Sequence, residues 1–453
     1  MNRRELIGSG LGVMAAIGLG ACRVPFTADP TVLESLPGYG IPAPTAYLRS
    51  NWSRDPFSLC SYSYLAPDPL GIEARRKLAR PVADRLFFAG EATSIDSPAM
   101  VHGAVESGLR AASEVVGVAG PGSKVVVIGA GAAGLACSRD LIDAGFEITV
   151  LEGRDRLGGR VRTEWLDGTP VEMGAAWIHG VAGNPLAELA RNQGVETIPF
   201  EYEFGFPVFG QEREAIEGVR QLRRGLASFD WGRRNPATTT VADLLPRRRS
   251  IGLQWACVSE IAQEYGVDPE RLAFLATDEG DYLRGGDALI KGSYSDLVIE
   301  GAGEIPVRTE STVSSISYGD GSDVVTELAG GETFTSDAVV VTVPIGVLKA
   351  GSIAFDPPLP SPNQAGIDAL GAGLLDKLCL AFDEVFWDAD AEMINWVDPE
   401  RPGLWAAWVN GHRLFGVPLL LGYNGGGQAE RMAGLDDEAV VRSGMAALDA
   451  MFG

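Results

Sequence analysis

The sequence predicts an α/β protein of two domains, and three observations predict it. The chain has 453 residues, of which 46% are hydrophobic, and this is enough to bury two sizeable cores. Its 58 glycines and 27 prolines are spread along the chain, which indicates many short turns and no disordered tract. Between residues 124 and 152, a buried strand, a glycine turn, a helix and a second strand follow in order, as in a parallel sheet.

The first residues, MNRRELIGSGLGVMAAIGLGAC, have the outline of an export signal. Arg3 and Arg4 resemble a twin-arginine signal, and the closing LGAC resembles a lipobox, in which Cys22 would carry the lipid. We therefore expect residues 1–22 to direct export to the periplasm or cell envelope, with a lipid anchor at Cys22. The alternative is an uncleaved anchor, although the apolar run is short and glycine-rich for a membrane span.

Charge and cysteine pattern disfavour several classes of partner. With 60 acidic and 37 basic side chains, the net charge of −23 disfavours nucleic acid and acidic membranes and favours a cationic ligand, although solubility alone would also account for it. The only membrane contact that we expect is the N-terminal lipid. The cysteines after Cys22 form no C-x-x-C pair, so neither a disulfide framework nor a metal site is predicted; they are Cys60, Cys137, Cys257 and Cys379.

The first element of the predicted sheet carries a nucleotide-binding pattern. Residues 124–128, KVVVI, are a buried strand by composition, and Gly129, Gly131 and Gly134 follow in G-x-G-x-x-G spacing where a helix begins. The first glycine permits the tight turn, and the second lets the backbone, with Ala133 beside it, approach a pyrophosphate at the helix N-terminus. The third lets the helix and the strand pack closely.

The second element completes the pattern and extends it. A strand over 146–151 ends at Glu152, where a carboxylate can accept hydrogen bonds from a ribose. The stretch RDRLGGRVRT that follows adds Arg154, a second glycine turn at Gly159 and Arg160, which can neutralise a phosphate. A nicotinamide enzyme needs no such second turn, so these residues favour another dinucleotide.

This stretch, with GAAWIHG at 174–180, resembles the flavin-containing amine oxidase family. The resemblance continues through NWSRDPFSLCSYSY and FFAGEATS near the front of the chain, and through VVVTVPIGVLKAGSIAFDPPLP and GLLDKLCLAFDEVFWD towards its end. It implies a Rossmann-like FAD-binding domain and a substrate domain built on a mixed sheet and helices. The implied segments are 23–60 (part of the substrate domain), 61–116 (flavin-edge segment), 117–123 (linker), 124–183 (dinucleotide-binding), 184–284 (substrate domain), 285–345 (FAD-domain strands) and 346–453 (substrate domain).

The order of these segments differs from that of the family, in which the glycine-rich strand opens the chain and FAGEATS closes it. This sequence resembles a circular permutant. The family's closing helix, expected here at about Val105 to Val116, would end near the opening strand, and GVAGPGS would join the old end to the old beginning. Seven residues span at most roughly 23 Å, and their composition suits an exposed linker. Two alternatives stay open: a rearranged gene, and a front segment that completes a neighbouring molecule by swapping.

The resemblance also implies residues for the chemistry. Lys377 matches the lysine that holds a water near flavin N5, and Tyr62 matches one wall of an aromatic cage whose other wall is Met100 here. The residue Ser61 stands where monoamine oxidases have the cysteine that bonds the flavin, so we expect non-covalent FAD. His179 lies in a WIHG pattern similar to that of polyamine oxidases, and its neutral imidazole could bond an amine or a water; a histidine satisfied by backbone is the alternative.

Further cofactor contacts are implied by position in these motifs. Glu91 is expected near the FAD phosphates or ribitol, Val313 near adenine, and Val101 near the pyrimidine edge of the flavin. Gly174 and Ala175, in GAAWIHG, are expected to line the cofactor. The acids Asp278, Glu279 and Asp281 could form an acidic entrance or merely a solvated loop.

The resulting prediction is an FAD-dependent amine oxidase with O2 as acceptor. Hydride would pass from the amine carbon to flavin N5, giving an imine, then an aldehyde plus amine or ammonia, and H2O2. Polyamine-like substrates are favoured by the WIHG pattern. The alternatives are an amino-acid oxidase or another flavin oxidoreductase of the same fold, and an inactive, FAD-stabilised rearranged protein.

Overall fold

The computed structural model describes residues 30–200, 208–319 and 323–453. The predicted export signal and Cys22 lie outside these residues. None of the helices within them is long and apolar enough to cross a bilayer. The cysteines within them, Cys60, Cys137, Cys257 and Cys379, are buried free thiols.

The strands of the described residues fall into sheets of two to six members. They are β1 (Ala46–Arg49), β2 (Tyr62–Leu65), β3 (Leu86–Phe88), β4 (Lys124–Ile128), β5 (Glu147–Leu151), β6 (Thr163–Leu166), β7 (Thr169–Glu172), β8 (Trp177–Ile178), β9 (Thr197–Phe200), β10 (Val208–Phe209), β11 (Asp287–Ile290), β12 (Val307–Arg308), β13 (Val313–Ser317), β14 (Val324–Leu328), β15 (Thr333–Ser336), β16 (Ala338–Val341), β17 (Ala354–Asp356), β18 (Leu370–Gly373), β19 (Leu375–Ala381), β20 (Met393–Trp396), β21 (Ala407–Asn410) and β22 (Leu419–Gly425).

The helices range from three to sixteen residues. They are α1 (Pro30–Glu34), α2 (Glu73–Leu78), α3 (Val101–Val116), α4 (Ala132–Asp143), α5 (Pro185–Gln193), α6 (Glu212–Ala227), α7 (Ile251–Cys257), α8 (Gln263–Tyr265), α9 (Tyr294–Ala302), α10 (Ile345–Lys349), α11 (Ser361–Ala369), α12 (Gly411–Phe415), α13 (Gly427–Ala433) and α14 (Asp437–Phe452). Short 3₁₀ turns span Glu91–Thr93, Val241–Leu244 and Phe274–Asp278, and a π-helical turn, Val258–Ala262, joins α7 to α8.

A five-stranded parallel sheet, in the order β12-β5-β4-β16-β3, carries the glycine-rich turn. Its central strands are continuous apolar runs, KVVVI and AVVV, because both faces of a parallel sheet are covered. The strand predicted over 124–128 is β4, and the one predicted over 146–151 is β5. The α/β class expected from the sequence is confirmed by this architecture.

A six-stranded mixed sheet, in the order β1-β19-β22-β21-β20-β10, forms the second large layer. All its pairs are antiparallel except β10 with β20. Smaller sheets lie around these two, with the orders β8-β11-β9, β15-β14-β13-β17, β18-β2 and β6-β7.

The segment before the glycine-rich turn packs on the rest of the same chain. β1 pairs with β19, β3 pairs with β16, and α3 lies against α4. The two helices are so close that a Cβ on Gly108 would lie 2.2 Å from the carbonyl oxygen of Ala133. This closing helix was expected at about Val105; it begins four residues earlier, at Val101, and ends at Val116 as expected.

The last helix ends beside the segment that precedes β1. The N–H of Gly40 donates to a carboxylate oxygen of Asp449 at 2.6 Å, and a Cβ on Gly40 would lie 3.1 Å from the Cα of Gly453. Residues 40 and 453 are therefore neighbours in space, although 413 positions separate them in the sequence.

Candidate active site

A cavity of about 550 Å³ is lined by residues of both large sheets and by the loops around them. The expected cofactor and pocket residues line it, with the exception of Gly134; they are Tyr62, Glu91, Met100, Val101, Gly129, Gly131, Ala133, Glu152, Arg154, Gly159, Arg160, Gly174, Ala175, His179, Val313 and Lys377. Residues distant in sequence thus meet at one site. Gly134 lies behind it.

The floor at one end of the cavity is made of glycine backbone. Gly129 has a φ of +103°, and a Cβ on Gly134 would lie 1.9 Å from the carbonyl oxygen of Gly129. The turn at Gly131 lies beside the second glycine turn, with Gly158 and Gly159. The atoms nearest to a Cβ on Gly131 would be Gly158 O at 3.9 Å and Gly159 Cα at 4.0 Å. A side chain at this position would therefore take up space in the cavity without clashing with the surrounding backbone.

This floor suits a dinucleotide. Glycine backbone at the start of the twelve-residue helix α4 presents N–H groups where a pyrophosphate can approach. Glu152 is buried at the end of β5, and its oxygens accept N–H bonds from Ala130 at 2.8 Å and from Arg154 at 2.9 Å. Each carboxylate oxygen retains acceptor capacity that a ribose hydroxyl could use.

The two arginines among the cavity-lining residues already have acidic partners. Arg154 donates to both oxygens of Asp55 at 2.8 and 2.9 Å. Arg160 donates to Glu91 at 3.0 Å and to the carbonyl of Ser61 at 3.0 Å. A cofactor phosphate near Arg160 would therefore share the guanidinium with Glu91, a partner that the sequence did not pair with it.

Glu91 is the centre of a buried polar network. Burial raises the pKa of its carboxyl, but Arg160, Arg75 and the hydroxyl of Ser63 outweigh that effect and lower it. Arg75 is fully buried and donates to Ser63 Oγ at 2.7 Å and to both oxygens of Glu279 at 2.6 and 3.0 Å. The network links the cofactor end of the cavity to the segment that carries Glu279.

This network distinguishes the buried acid of residues 278–281 from the exposed ones. Glu279 is the buried partner of Arg75, so it forms neither an entrance nor a solvated loop. Asp278 and Asp281 are exposed, and the backbone N–H of Asp281 donates to the carbonyl of Asp96 at 2.6 Å.

Lys377 lies on β19 inside the molecule, with 4% of its surface exposed. Its ammonium donates to the carbonyls of Glu172 and Gly174, both at 2.7 Å. It lies 5.6 Å from the ring centroid of Trp177 and 5.5 Å from that of Tyr423. Burial lowers the pKa of Lys377, and burial also raises the pKa of the neighbouring Glu172 carboxyl. Two of its three N–H donors are thus taken, while the residue still lines the cavity.

Aromatic rings and methionine side chains also line the cavity. Tyr62 and Met100 both line it, and the Tyr62 hydroxyl donates to the carbonyl of Gln263 at 2.9 Å. Trp177 and Tyr423 also line it, with ring centroids 6.0 Å apart. The sequence predicted the first pair. It did not predict the second, although Trp177 lies in GAAWIHG, because Tyr423 belongs to β22, outside the recognised motifs.

His179 has a carboxylate partner that the sequence reasoning did not identify. Its Nδ1 lies 2.7 Å from Asp287 Oδ2, and the N–H of Gly180 donates to the other oxygen at 2.9 Å. Burial lowers the pKa of His179, but the hydrogen bond and charge of Asp287 outweigh it and raise the pKa. His179 therefore keeps its proton to a higher pH than a free histidine does, whereas the sequence suggested a neutral imidazole. The alternative, in which backbone groups satisfy the ring, omits its bond to Asp287.

Glu264 is a second carboxylate of the cavity that was not foreseen. It stands on α8, directly after the π-helical turn, and its side chain is exposed into the cavity that it lines. The surrounding walls raise the pKa of its carboxyl by desolvation, and the charge of His179 opposes that effect. Within the described residues, no hydrogen bond or ion pair reaches this carboxylate. π-Helical turns are frequent at functional sites.

Comparisons with known proteins agree with this geometry. The family model described as flavin containing amine oxidoreductase matches residues 31–116, 132–246 and 253–453. "Probable polyamine oxidase 4" of Arabidopsis thaliana is 32% identical over 359 residues, which cover 72% of this chain and 71% of the relative. "Polyamine oxidase 4" of Oryza sativa subsp. japonica is 31% identical over 347 residues, 70% of each chain. "Lysine-specific histone demethylase 1 homolog 2" of Arabidopsis thaliana is 31% identical over 346 residues, 69% of this chain and 45% of the relative.

Proposed function

The chain belongs to the flavin-containing amine oxidoreductase family and is a flavin-dependent amine oxidase; we propose that its cofactor is non-covalent FAD and that its preferred substrates are polyamines. The observation that carries the substrate proposal is the carboxylate of Glu264, which lines the cavity and which no hydrogen bond or ion pair reaches within the described part of the chain. The names of the relatives in two plants point the same way.

The residues of the cavity fit the proposed cofactor. The glycine turns at Gly131 and Gly159 would hold the pyrophosphate, Glu152 a ribose, and Val313 the adenine end. When bound, FAD accepts two electrons from the carbon–hydrogen bond beside the amine nitrogen and delivers them to O2, so that an imine and H2O2 are formed.

The absence of a covalent link is proposed from the residues at the flavin end. Ser61 lines the cavity there, and its hydroxyl donates to the carbonyl of Leu375 at 3.0 Å. Cys60 is fully buried, and its sulfur lies 3.9 Å from an Arg160 nitrogen. Burial raises the pKa of the Cys60 thiol, which disfavours the reactive thiolate.

Lys377 is proposed to hold a water near flavin N5. Two carbonyls fix its ammonium, and the remaining N–H can donate into the cavity. Burial makes its proton easier to lose than that of an ordinary lysine, so Lys377 can also take part in moving a proton near neutral pH.

The proposed polyamine site uses charge at the far side of the aromatic pocket. An amine must lose its proton to be oxidised, whereas the distal nitrogens of a polyamine stay cationic. Glu264 offers those nitrogens a carboxylate, and Tyr62, which also lines the cavity, offers an aromatic ring near it. The His179–Asp287 pair lies on the same side of the cavity.

The alternative function, that of an amino-acid oxidase, would require a side chain that binds the substrate carboxylate, and the cavity does not offer a free one within the described residues. A substrate carboxylate calls for an arginine, and those lining the cavity in the described part of the chain are Arg154 and Arg160. Both are held by Asp55 and Glu91, respectively.

A peroxide-release screen of purified, yellow protein tests the substrate proposal. We expect kcat/KM for spermidine or spermine to exceed that for benzylamine, to fall as salt is added and to rise as the reacting nitrogen loses its proton with increasing pH. Preference for benzylamine or for a neutral amino acid, without salt dependence, would refute the polyamine assignment and leave the amine oxidase standing.

The segment order is proposed to be an intrachain circular permutation. The contact of Gly40 with Asp449 and Gly453 supports it, since the family would read these segments as continuous. Residues 117–123 need only connect α3, which packs against α4, to β4 of the adjacent parallel sheet. A flavin-loaded monomer in solution is expected; flavin found only in dimers that lose it on dissociation would favour swapping instead.

Export and lipidation of Cys22 are also proposed, from the sequence of residues 1–22 alone. Metabolic labelling with a fatty acid should mark the wild-type chain and not the Cys22→Ser variant. Label retained in that variant would refute the lipobox.

A further inference from the structure

A second, much smaller cavity lies beside the main one. It has a volume of about 20 Å³ and shares three lining residues with the main cavity, namely Ala176, Trp177 and Tyr423. A cavity of roughly 10–15 Å³ suffices for one molecule of the size of water. We call this smaller cavity the side chamber; it has room for a single small molecule.

The side chamber lies where several layers of the fold meet without filling the space between them. Its walls come from β7, from β8 and β11 of the three-stranded sheet, from β21 and β22 of the six-stranded sheet, and from α12. Buried aliphatic side chains make up much of these walls, among them Val171, Leu289, Val409, Leu414 and Leu421. Unfilled space in a close-packed core lowers stability, and a cavity with apolar walls tends to exclude water.

The polar groups of the walls offer a water molecule little. Glu172 lines the side chamber, but its carboxylate is engaged: Thr163 Oγ1 lies 2.8 and 3.0 Å from its two oxygens, and the N–H of Tyr294 donates to one of them at 2.8 Å. Two other lining side chains that carry a polar group, Trp177 and Tyr423, are shared with the main cavity. A buried water typically makes about three hydrogen bonds. A small apolar molecule needs none, and it gains free energy by leaving the solvent.

The shared aromatic rings place the side chamber next to Lys377. The ammonium of Lys377 lies 5.6 Å from the ring centroid of Trp177 and 5.5 Å from that of Tyr423. Because both residues line both cavities, they form part of the partition between them. A molecule that leaves the side chamber past these rings therefore enters the main cavity beside Lys377.

We propose that the side chamber holds O2 and delivers it to the reduced flavin. This inference rests on the proposed function, in which O2 is the electron acceptor. In that step O2 takes up two electrons and two protons from the reduced cofactor, so that H2O2 forms and the oxidised cofactor is regenerated. O2 is apolar and only slightly larger than water, as the side chamber requires. An amine or imine in the main cavity would hinder O2 that arrives through it, whereas the side chamber lies behind the aromatic rings.

Dissolved O2 is itself the probe of occupancy, because its unpaired electrons speed the magnetic relaxation of nearby methyl protons. The oxidised, flavin-loaded protein, with labelled valine and leucine methyl groups, is compared under O2 and under N2 at equal pressure. We expect the methyl protons of Val171, Val409 and Leu421 to relax faster under O2, in proportion to its pressure. Those of Val440 and Val441, which are comparably buried in α14 and line neither cavity, should change little.

A filling variant tests delivery. Val409 lines the side chamber and not the main cavity, so Val409→Leu takes space from the chamber alone. The variant is reduced with dithionite, which requires no amine, and is then mixed with O2. The rate constant for flavin reoxidation should fall by roughly fivefold, because the added methylene occupies the space that O2 would use. Anaerobic flavin reduction by an amine should equal that of the wild type.

A second filling variant and a control accompany it. Leu414→Phe fills the side chamber from α12 and should give the same pattern, also where Val409→Leu does not fold. Val440→Leu makes the matched change at a buried position that lines neither cavity, and it should reoxidise as the wild type does. Flavin absorbance shows which variants are folded.

Three results would overturn the proposal. One is relaxation of the chamber methyl protons under O2 that is no faster than that of Val440 and Val441. Another is wild-type reoxidation by both filling variants, and a third is equal slowing by Val440→Leu, which would assign the loss to overpacking of the core. In each of these cases O2 still reoxidises the flavin, so the proposed function stands. A flavin that O2 does not reoxidise would instead contradict the proposed function itself.

Discussion

The floor of the cavity and its far wall are built in opposite ways. The floor comes from one continuous stretch, residues 124–160, and its contacts are mainly those of backbone at glycine turns. The far wall contains His179 and Glu264, and Asp287 bonds His179 without lining the cavity; the three side chains come from three separate segments. A ligand held by backbone demands glycine at fixed spacing, which a sequence displays. A ligand held by side chains from distant segments requires no fixed spacing between those residues, so the sequence shows no pattern for such a site.

The largest expected effect is on the floor. Gly131→Val should weaken FAD binding by on the order of 10²-fold or more, because its side chain would begin in the slot between the glycine turns, where the Cβ lies 3.9 Å from the nearest backbone atom of the second turn. Flavin titration of the apoprotein measures the loss, and thermal unfolding of the apoprotein should be unchanged.

Gly134→Val provides the contrast, since its Cβ would meet a backbone oxygen at 1.9 Å. It should destabilise the apoprotein itself, by about 3 kcal/mol or more. Gly120→Val, in open space, should change neither property. If Gly131→Val and Gly134→Val affect FAD binding and apoprotein stability equally, then the glycine at 131 does not differ in role from the glycine at 134.

The same contrast explains what could be read from the sequence. KVVVI predicted β4 at its observed bounds because a strand covered on both faces must be apolar throughout. The start of α3 was misplaced because Met100 caps it without a side-chain hydrogen bond, so no capping signal stands in the sequence. Glu279 could not be distinguished from a solvated acid, since its partner, Arg75, is 204 positions away.

The second effect concerns Lys377, which lines the same cavity and belongs to neither region. Lys377→Met keeps the side-chain length but removes the charge and the donors, so FAD should remain bound while turnover slows by on the order of 10²-fold. Stopped-flow measurement of flavin reduction and reoxidation locates the loss. Unchanged rates for both half-reactions would make Lys377 a structural residue that only fastens β19 to Glu172 and Gly174.

The third effect should appear as a shift in pH dependence. Asp287 raises the pKa of His179, so Asp287→Asn should lower it and let His179 lose its proton at a lower pH. A limb of the kcat/KM profile that reports this deprotonation should move to lower pH, with about a tenfold change in rate at a pH between the two limbs. His179→Ala should remove the limb and leave the flavin content intact. A limb that stays in place in Asp287→Asn would assign it to another group.

The smallest effect, on Glu264, tests whether the far wall recognises charge. Glu264→Gln should lower kcat/KM for spermidine by roughly fivefold and leave benzylamine unaffected, because only the polyamine carries a distal cation to the carboxylate. Desolvation by the surrounding walls raises the pKa of Glu264, so its charge is lost at a higher pH than that of an ordinary glutamate. In the wild type, the spermidine-to-benzylamine ratio should therefore fall as the pH falls through that pKa, and in the variant it should not. Glu260→Gln removes one charge from the preceding π-helical turn, at a residue that does not line the cavity, and should preserve the ratio. If both variants lower it equally, the preference reflects the acidic charge of the molecule as a whole and not a site at Glu264.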